Sequence, residues 1–185
     1  MELIGIFVTA ILLFLAGPAA YAGIIGAPTA VADKEQVEAA LQEARVGIND
    51  IFYELGAGSG RVMLAAKQRG ARVVGFELSP IFYLVTIINL RRHNINDYHL
   101  YWKNFFNAPI GAASVVYCFL MPKAMERLKE KFVRELRPGT KIISYAFEIP
   151  GWIPSASVAS DNKQTVYIYT IPSTKEPSAR LGLNI

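Results

Sequence analysis

The stretch Glu54-Leu55-Gly56-Ala57-Gly58-Ser59-Gly60-Arg61 constrains the fold more than any other part of the chain. It follows an apolar run, Ile51–Leu55, that reads as a buried strand, and it precedes Arg61–Arg69, which reads as a helix closing at Gly70. Glycines at this density let the backbone turn sharply and approach a ligand closely. The start of the following helix offers unpaired N–H groups to an anionic group such as a carboxylate. A strand that enters a helix through such a turn is the opening of a βαβ unit, and the rest of the chain has to accommodate it.

The sequence beyond the turn repeats the alternation. Arg72–Glu77 reads as a second strand. Ser79 caps the next helix, which runs to His93, and Pro80 takes its first position, where a missing N–H costs nothing. His99–Trp102 reads as a third strand and Ser114–Leu120 as a fourth. A helix over Pro122–Arg137 is stopped by Pro138-Gly139. Thr140–Phe147 and Gln164–Ile171 read as the fifth and sixth strands. Upstream, Asp33 caps a helix from Lys34, with Gln36 at the reciprocal position, an apolar face of Val37, Ala40, Leu41 and Ala44, and a stop at Gly47. The expected fold is therefore α/β: a Rossmann-like, doubly wound, mostly parallel sheet of about six to seven strands. Ligands of such sheets sit at the C-terminal ends of the strands, near the switch in strand order.

The N-terminus is of another character. Leu3 to Ala32 contains no charged residue, and Leu3–Ala22 reads LIGIFVTAILLFLAGPAAYA. A helix of about 20 apolar residues spans a bilayer core, and a membrane helix tolerates a kink at Pro18. We expect a single transmembrane anchor over residues 1–25, the α/β domain over 26–175 and a loose tail over 176–185. Lys34 and Arg45 follow the apolar run and no Lys or Arg precedes it, which places the domain on the cytoplasmic side or in an equivalent reducing compartment. Two alternatives stay open. Ala20-Tyr21-Ala22 resembles a signal-peptidase site, although the basic n-region is missing, and the run could be a core helix.

The single cysteine, Cys118, excludes an internal disulfide, and its apolar surroundings read as a buried thiol. The net charge of +4 is spread over several elements with no dense basic run, so no nucleic-acid partner is expected. The sequence holds two histidines, His93 and His99, read as a helix end and a strand start, and no metal site is expected.

The glycine spacing narrows the ligand. It is G-x-G-x-G, whereas a dinucleotide fingerprint reads G-x-G-x-x-G, and the Gly-Lys-Ser/Thr ending of a phosphate loop is absent. The second strand ends in Glu77, whose carboxylate can accept hydrogen bonds from two ribose hydroxyls. An acid, a G-x-G-x-G turn and a second acid closing the next strand resemble the class I (seven-strand) S-adenosylmethionine-dependent methyltransferases. The resemblance implies that Glu54, Gly56, Gly58 and Gly60 form the loop around the methionine part of S-adenosylmethionine, and that Glu77 holds its ribose. The family usually carries Asp where this chain has Glu54. It often carries Asp after the third strand, where Lys103-Asn104-Phe105 makes Asn104 the adenine-side candidate.

A narrower likeness covers most of the chain after residue 28. The segments GFELSP, VVYCFLMP and IPGWIP behind an apolar N-terminus resemble the membrane-anchored protein-lysine methyltransferases, among them the mitochondrial enzymes acting on the ATP synthase c subunit and the adenine nucleotide translocase. Those carry G-x-G-D-G-R, and Ser59 here replaces the Asp. The likeness implies Met121, Pro122 and Trp152 as acceptor-side residues, a lysine of a membrane or membrane-proximal protein as acceptor, and the bilayer itself as a partner. Leu120-Met121-Pro122-Lys123 differs from the Asn/Asp-Pro-Pro-Tyr of DNA adenine methylases and argues against that activity. Methylation of a lipid or quinone, and cofactor binding without turnover, are the alternative functions. No residue is identified as a catalytic base.

Overall fold

A computed structural model of the chain describes residues 4–7, 9, 31–161 and 163–173. The elements are α1 (Lys34–Glu43), β1 (Ile51–Leu55), α2 (Arg61–Gln68), β2 (Arg72–Glu77), α3 (Pro80–Arg92), β3 (His99–Trp102), a 3-10 turn (Phe105–Asn107), β4 (Val115–Cys118), α4 (Pro122–Glu135), β5 (Lys141–Tyr145), β6 (Ala156–Val158) and β7 (Val166–Thr170). The strands form one seven-stranded sheet in the order β3-β2-β1-β4-β5-β7-β6. Strands β3 through β5 run parallel. Strand β7 enters antiparallel beside β5, and β6 pairs antiparallel with β7. The expected mostly parallel α/β sheet is present, and its far edge is mixed.

The strand order reverses at β1. The chain moves outward to β2 and β3, then crosses back to lay β4 on the other side of β1. The crossovers leave in opposite directions there, so a crevice opens at the C-terminal ends of β1 and β4. The register places Glu54 beside Gly75 on one side and Tyr117 on the other.

Helices cover both faces. One core joins α1, α2 and the sheet through Val37, Leu41, Phe52, Met63 and Ile143. The other seats α4 on the opposite face through Met125, Leu128 and Phe132, all fully buried, together with Ile142 and Tyr169. Each such side chain contributes about 1.5–3 kcal/mol by leaving water. Cys118 is buried here, and burial pushes its thiol up to about 12.

Capping follows the sequence closely. The Asp33 side chain accepts from the Gln36 N–H at 3.1 Å, and that of Ser79 from the Phe82 N–H at 3.4 Å. Boundaries shift where a side chain competes with the ladder. The Ser114 hydroxyl accepts from the Ile51 N–H at 2.9 Å and donates to Asp50 at 2.6 Å, so β4 begins one residue later than expected. Strand β6 and the 3-10 turn were not foreseen.

The anchor expected over 1–25 lies outside the described residues except for 4–7 and 9, which are helical. Among the described residues no helix is long and apolar enough to cross a membrane. The tail expected over 176–185 also lies outside them.

Candidate active site

A cavity of ≈ 640 Å³ opens at the strand-order reversal. Pockets of this volume hold ligands of cofactor size. Its floor is the glycine turn, its walls are Glu77, Asn104 and Phe119, and its roof is the strap from Val31 to Glu38 at the start of α1.

The turn takes its shape from three left-handed residues, Gly56, Gly58 and Gly60, with φ of 93°, 54° and 75°. At Gly60 the requirement is double. A Cβ there would lie 2.8 Å from the Cγ2 of Thr86 on α3, so only glycine lets that helix approach. At Gly56 and Gly58 a Cβ would meet nothing within 4 Å among the described residues, and both residues line the cavity. Helix α3 clamps the turn. The Thr86 hydroxyl donates to the Gly58 carbonyl at 2.8 Å, and the Asn89 amide donates to the Ser59 carbonyl at 2.9 Å.

The two acids have different surroundings. Glu77 accepts from the N–H groups of Gly58 at 2.7 Å, Leu78 at 2.9 Å and Ser79 at 2.8 Å. These bonds fix the carboxylate at the cavity wall and use three of its roughly four lone-pair sites. Burial still raises its pKa, outweighing the stabilisation those N–H groups give the charged form. Glu54 is buried between β2 and β4 and accepts from the Met63 N–H at 2.9 Å, which ties β1 to the first turn of α2. Desolvation pushes its carboxyl well above the ordinary glutamate value, and the charge of Glu77 adds to the effect.

The cavity thus gathers Glu54, Gly56, Gly58, Glu77 and Asn104. Gly60 lies behind it, at the contact with α3. The Asn104 oxygen is occupied in capping the 3-10 turn, accepting from the Phe106 N–H at 3.0 Å. The acceptor-side expectation is not brought together. Met121 is an exposed N-cap of α4, Pro122 begins that helix, and neither lines the cavity. Trp152 is buried against Tyr169, with ring centroids 6.1 Å apart, and does not line it either.

Several lining residues escaped the sequence reading. Tyr117 is buried beside Glu54, and among the described residues its hydroxyl has no hydrogen-bond partner. His93 lines the cavity, its Nδ1 2.9 Å from the Asn89 carbonyl. The roof is held by Tyr145 of β5, whose hydroxyl accepts from the Asp33 N–H at 3.0 Å and donates to the Gln36 side chain at 2.8 Å. Polar residues three apart, Thr86 and Asn89, in an otherwise apolar helix were a usable signal. Nothing in the sequence marked Tyr117.

Among the described residues no cluster of His, Cys, Asp or Glu could hold a metal ion. Residues 54–156 match the family model described as the ANTKMT methyltransferase domain. The chain belongs to that family. A protein-lysine N-methyltransferase of Saccharolobus islandicus is 34% identical over 73% of this chain and 88% of its own length. A lysine N-methyltransferase of the ATP synthase c subunit, from Xenopus laevis, is 25% identical over 69% of this chain, which spans only 57% of that relative. Among solved structures, an RNA methyltransferase of Salinibacter ruber in complex with S-adenosyl-L-homocysteine is 31% identical. It superposes with a TM-score of 0.75 over 80% of this chain and 97% of its own. The domain is thus an S-adenosylmethionine-dependent methyltransferase, of a family that includes protein-lysine enzymes.

Proposed function

We propose that the chain transfers the methyl group of S-adenosylmethionine to a lysine side chain of a membrane or membrane-proximal protein. The observation that carries this reading is the pairing of an open glycine cradle with the oriented carboxylate of Glu77 in one cavity. Relatives named for lysine methylation supply the acceptor class.

The residues present suit the cofactor. The space a Cβ would fill at Gly56 and Gly58 would take its methionine part, the lone-pair site that Glu77 keeps free would accept from a ribose hydroxyl, and Asn104 would border its adenine. The bound cofactor supplies an activated methyl group. The chain contributes alignment for in-line displacement and exclusion of water by the roof. The acceptor amine must arrive neutral, because an ammonium has no lone pair. The apolar lining from Phe119 and Leu120 favours that form by desolvation.

The uncharged run before Asp33 serves as a single-pass anchor, with the domain on the cytoplasmic side. The strap it joins roofs the cavity, so an anchor of this kind holds the site close to the bilayer. Extraction of the full chain into buffer without detergent would refute the anchor.

The name of the Salinibacter relative supports a second reading, with RNA as acceptor. The deciding experiment incubates membranes and total RNA with the protein and isotope-labelled S-adenosylmethionine, beside a Glu77→Ala control. Label on a discrete protein band, at lysine and lost in the control, supports the proposal. Label confined to RNA or to the lipid extract overturns it.

A further inference from the structure

Helix α3 is built inside out. Its inward face is polar where it matters, with Thr86 and Asn89 holding the glycine turn. Its outward face is aliphatic and aromatic. Ile81 is 45% exposed, Leu84 58% and Ile88 50%, and Phe82 and Val85 are exposed beside them. At 100° per residue these side chains share one continuous arc of the helix. The arc extends onto β3, where the Trp102 ring lies 6.5 Å from that of Tyr83 and is 49% exposed. Isolated surface hydrophobes need no explanation, but a contiguous face of this kind marks an interaction site.

The charge around the face identifies what it meets. Arg91 and Arg92 lie exposed in the last turn of α3, and Lys103 lies exposed directly after Trp102. Between Leu78 and Met125 the one carboxylate side chain is Asp97, and it is paired with Lys67 at 2.9 Å. An apolar helix face ending in arginines, with a tryptophan beside it, suits the boundary of an anionic bilayer: acyl chains take the apolar arc, headgroups take the cations, and tryptophan prefers the interface. A soluble protein partner would have to supply a matching apolar groove rimmed with acids.

We propose that the outward face of α3, with Trp102, is a membrane-docking surface that inserts into the headgroup region of an anionic bilayer. Phe82 belongs both to the exposed face and to the cavity lining, so docking brings the cavity mouth to the membrane surface. That arrangement presents the site to lysines at the bilayer boundary.

The chain has two tryptophans, Trp102 and Trp152, and the second is only 4% exposed. The N-terminal segment has none, so tryptophan quenching reads α3 docking whatever the anchor does. The full chain is bound to vesicles of phosphatidylcholine with brominated acyl chains, with and without phosphatidylglycerol. Co-sedimentation reports the anchor. Quenching and blue shift of Trp102, identified by Trp102→Phe, report docking. We expect quenching on the anionic vesicles, weakened by salt and lost in Leu84→Glu/Ile88→Glu while co-sedimentation persists. Neither residue lines the cavity, so S-adenosylhomocysteine binding by calorimetry checks that the double variant is folded. Should it fail to fold, Arg91→Gln/Arg92→Gln is expected to erase the difference between anionic and neutral vesicles.

Trp102 left unquenched on vesicles that carry the protein overturns docking, whether or not the anchor holds. Equal quenching on neutral vesicles overturns the anionic assignment. A dimer in sedimentation velocity that the Glu substitutions split would assign the face to a second copy and overturn the proposal as well.

Discussion

Substitution of Gly60 by alanine should damage the loop by two separable routes. The first is backbone strain, since φ is 75° and an L-residue in the left-handed region costs about 1–2 kcal/mol. The second is overlap with Thr86 Cγ2 at 2.8 Å, and overpacking of this sort costs about 1–3 kcal/mol. Thr86 cannot rotate away freely, because it is fully buried and its hydroxyl holds the Gly58 carbonyl. A smaller unfolded-state entropy returns about 0.4–1 kcal/mol. The net loss is then about 1–5 kcal/mol, or roughly 2–20 °C in Tm for a chain of this size. The second route can be cancelled. Thr86→Ser removes Cγ2 and keeps the hydroxyl, so in Gly60→Ala/Thr86→Ser the overlap cost should return while the strain remains. A double-mutant cycle by urea denaturation, with S-adenosylhomocysteine calorimetry on each variant, measures the coupling. A Gly60→Ala loss under about 1 kcal/mol, or a coupling inside the additivity error of about 0.5 kcal/mol, refutes the steric account.

Three further predictions concern the acids, the orphan phenol and the scaffold. Glu54 has a folded pKa above its ordinary 4.5, so the folded state binds the proton more tightly than the unfolded state. Its contribution is therefore most favourable below 4.5 and is lost as pH rises toward the folded value; in urea titrations the advantage of Glu54→Gln over the native chain should grow with pH, and a constant difference contradicts the assignment. Tyr117→Phe removes a buried hydroxyl without a partner, so the ligand-free protein should lose no stability and could gain about 1–3 kcal/mol; a loss above about 1 kcal/mol in thermal denaturation would mean the hydroxyl is already satisfied. Leu128→Ala, at a fully buried position under α4, should cost about 2–5 kcal/mol while leaving S-adenosylhomocysteine affinity of the folded fraction unchanged.

Most of the sheet was readable because its signals are local. Ile51–Leu55 and Arg72–Glu77 are short apolar runs bounded by glycine, Ser79-Pro80 announces a helix start, and Pro138-Gly139 ends one. Strand β6 was missed because Ala156–Val158 has no pattern of its own; it exists through its ladder with β7 and the Ser155 N–H donating to the Ile168 carbonyl at 2.7 Å. The cofactor side of the site was readable for the same reason as the sheet, since the turn and Glu77 lie within one βαβ unit. The rest of the cavity depends on contacts across long sequence separations. Tyr117 faces Glu54 only through strand register, and Val31–Glu38 is held over the cavity by Tyr145 and by Lys163, whose Nζ lies 3.1 Å from Asp33. Trp152 shows the converse: a Pro-Gly-Trp segment after β5 suggests an acceptor wall, whereas the ring packs against Tyr169 and does not line the cavity.

Helix α3 was identified by its caps but not by its orientation. Its apolar residues surround nearly the whole circumference, so periodicity offers no face to bury. The sheet resolves the ambiguity through hydrogen bonds. Thr86 and Asn89 can satisfy carbonyls of the glycine turn only if they face inward, and once they do, Ile81, Leu84 and Ile88 have nowhere to point but out. The exposed face is thus a consequence of how the turn is held. One helix therefore links the shape of the cofactor loop to whatever covers its outer surface. A substitution that releases Thr86 would be felt at both.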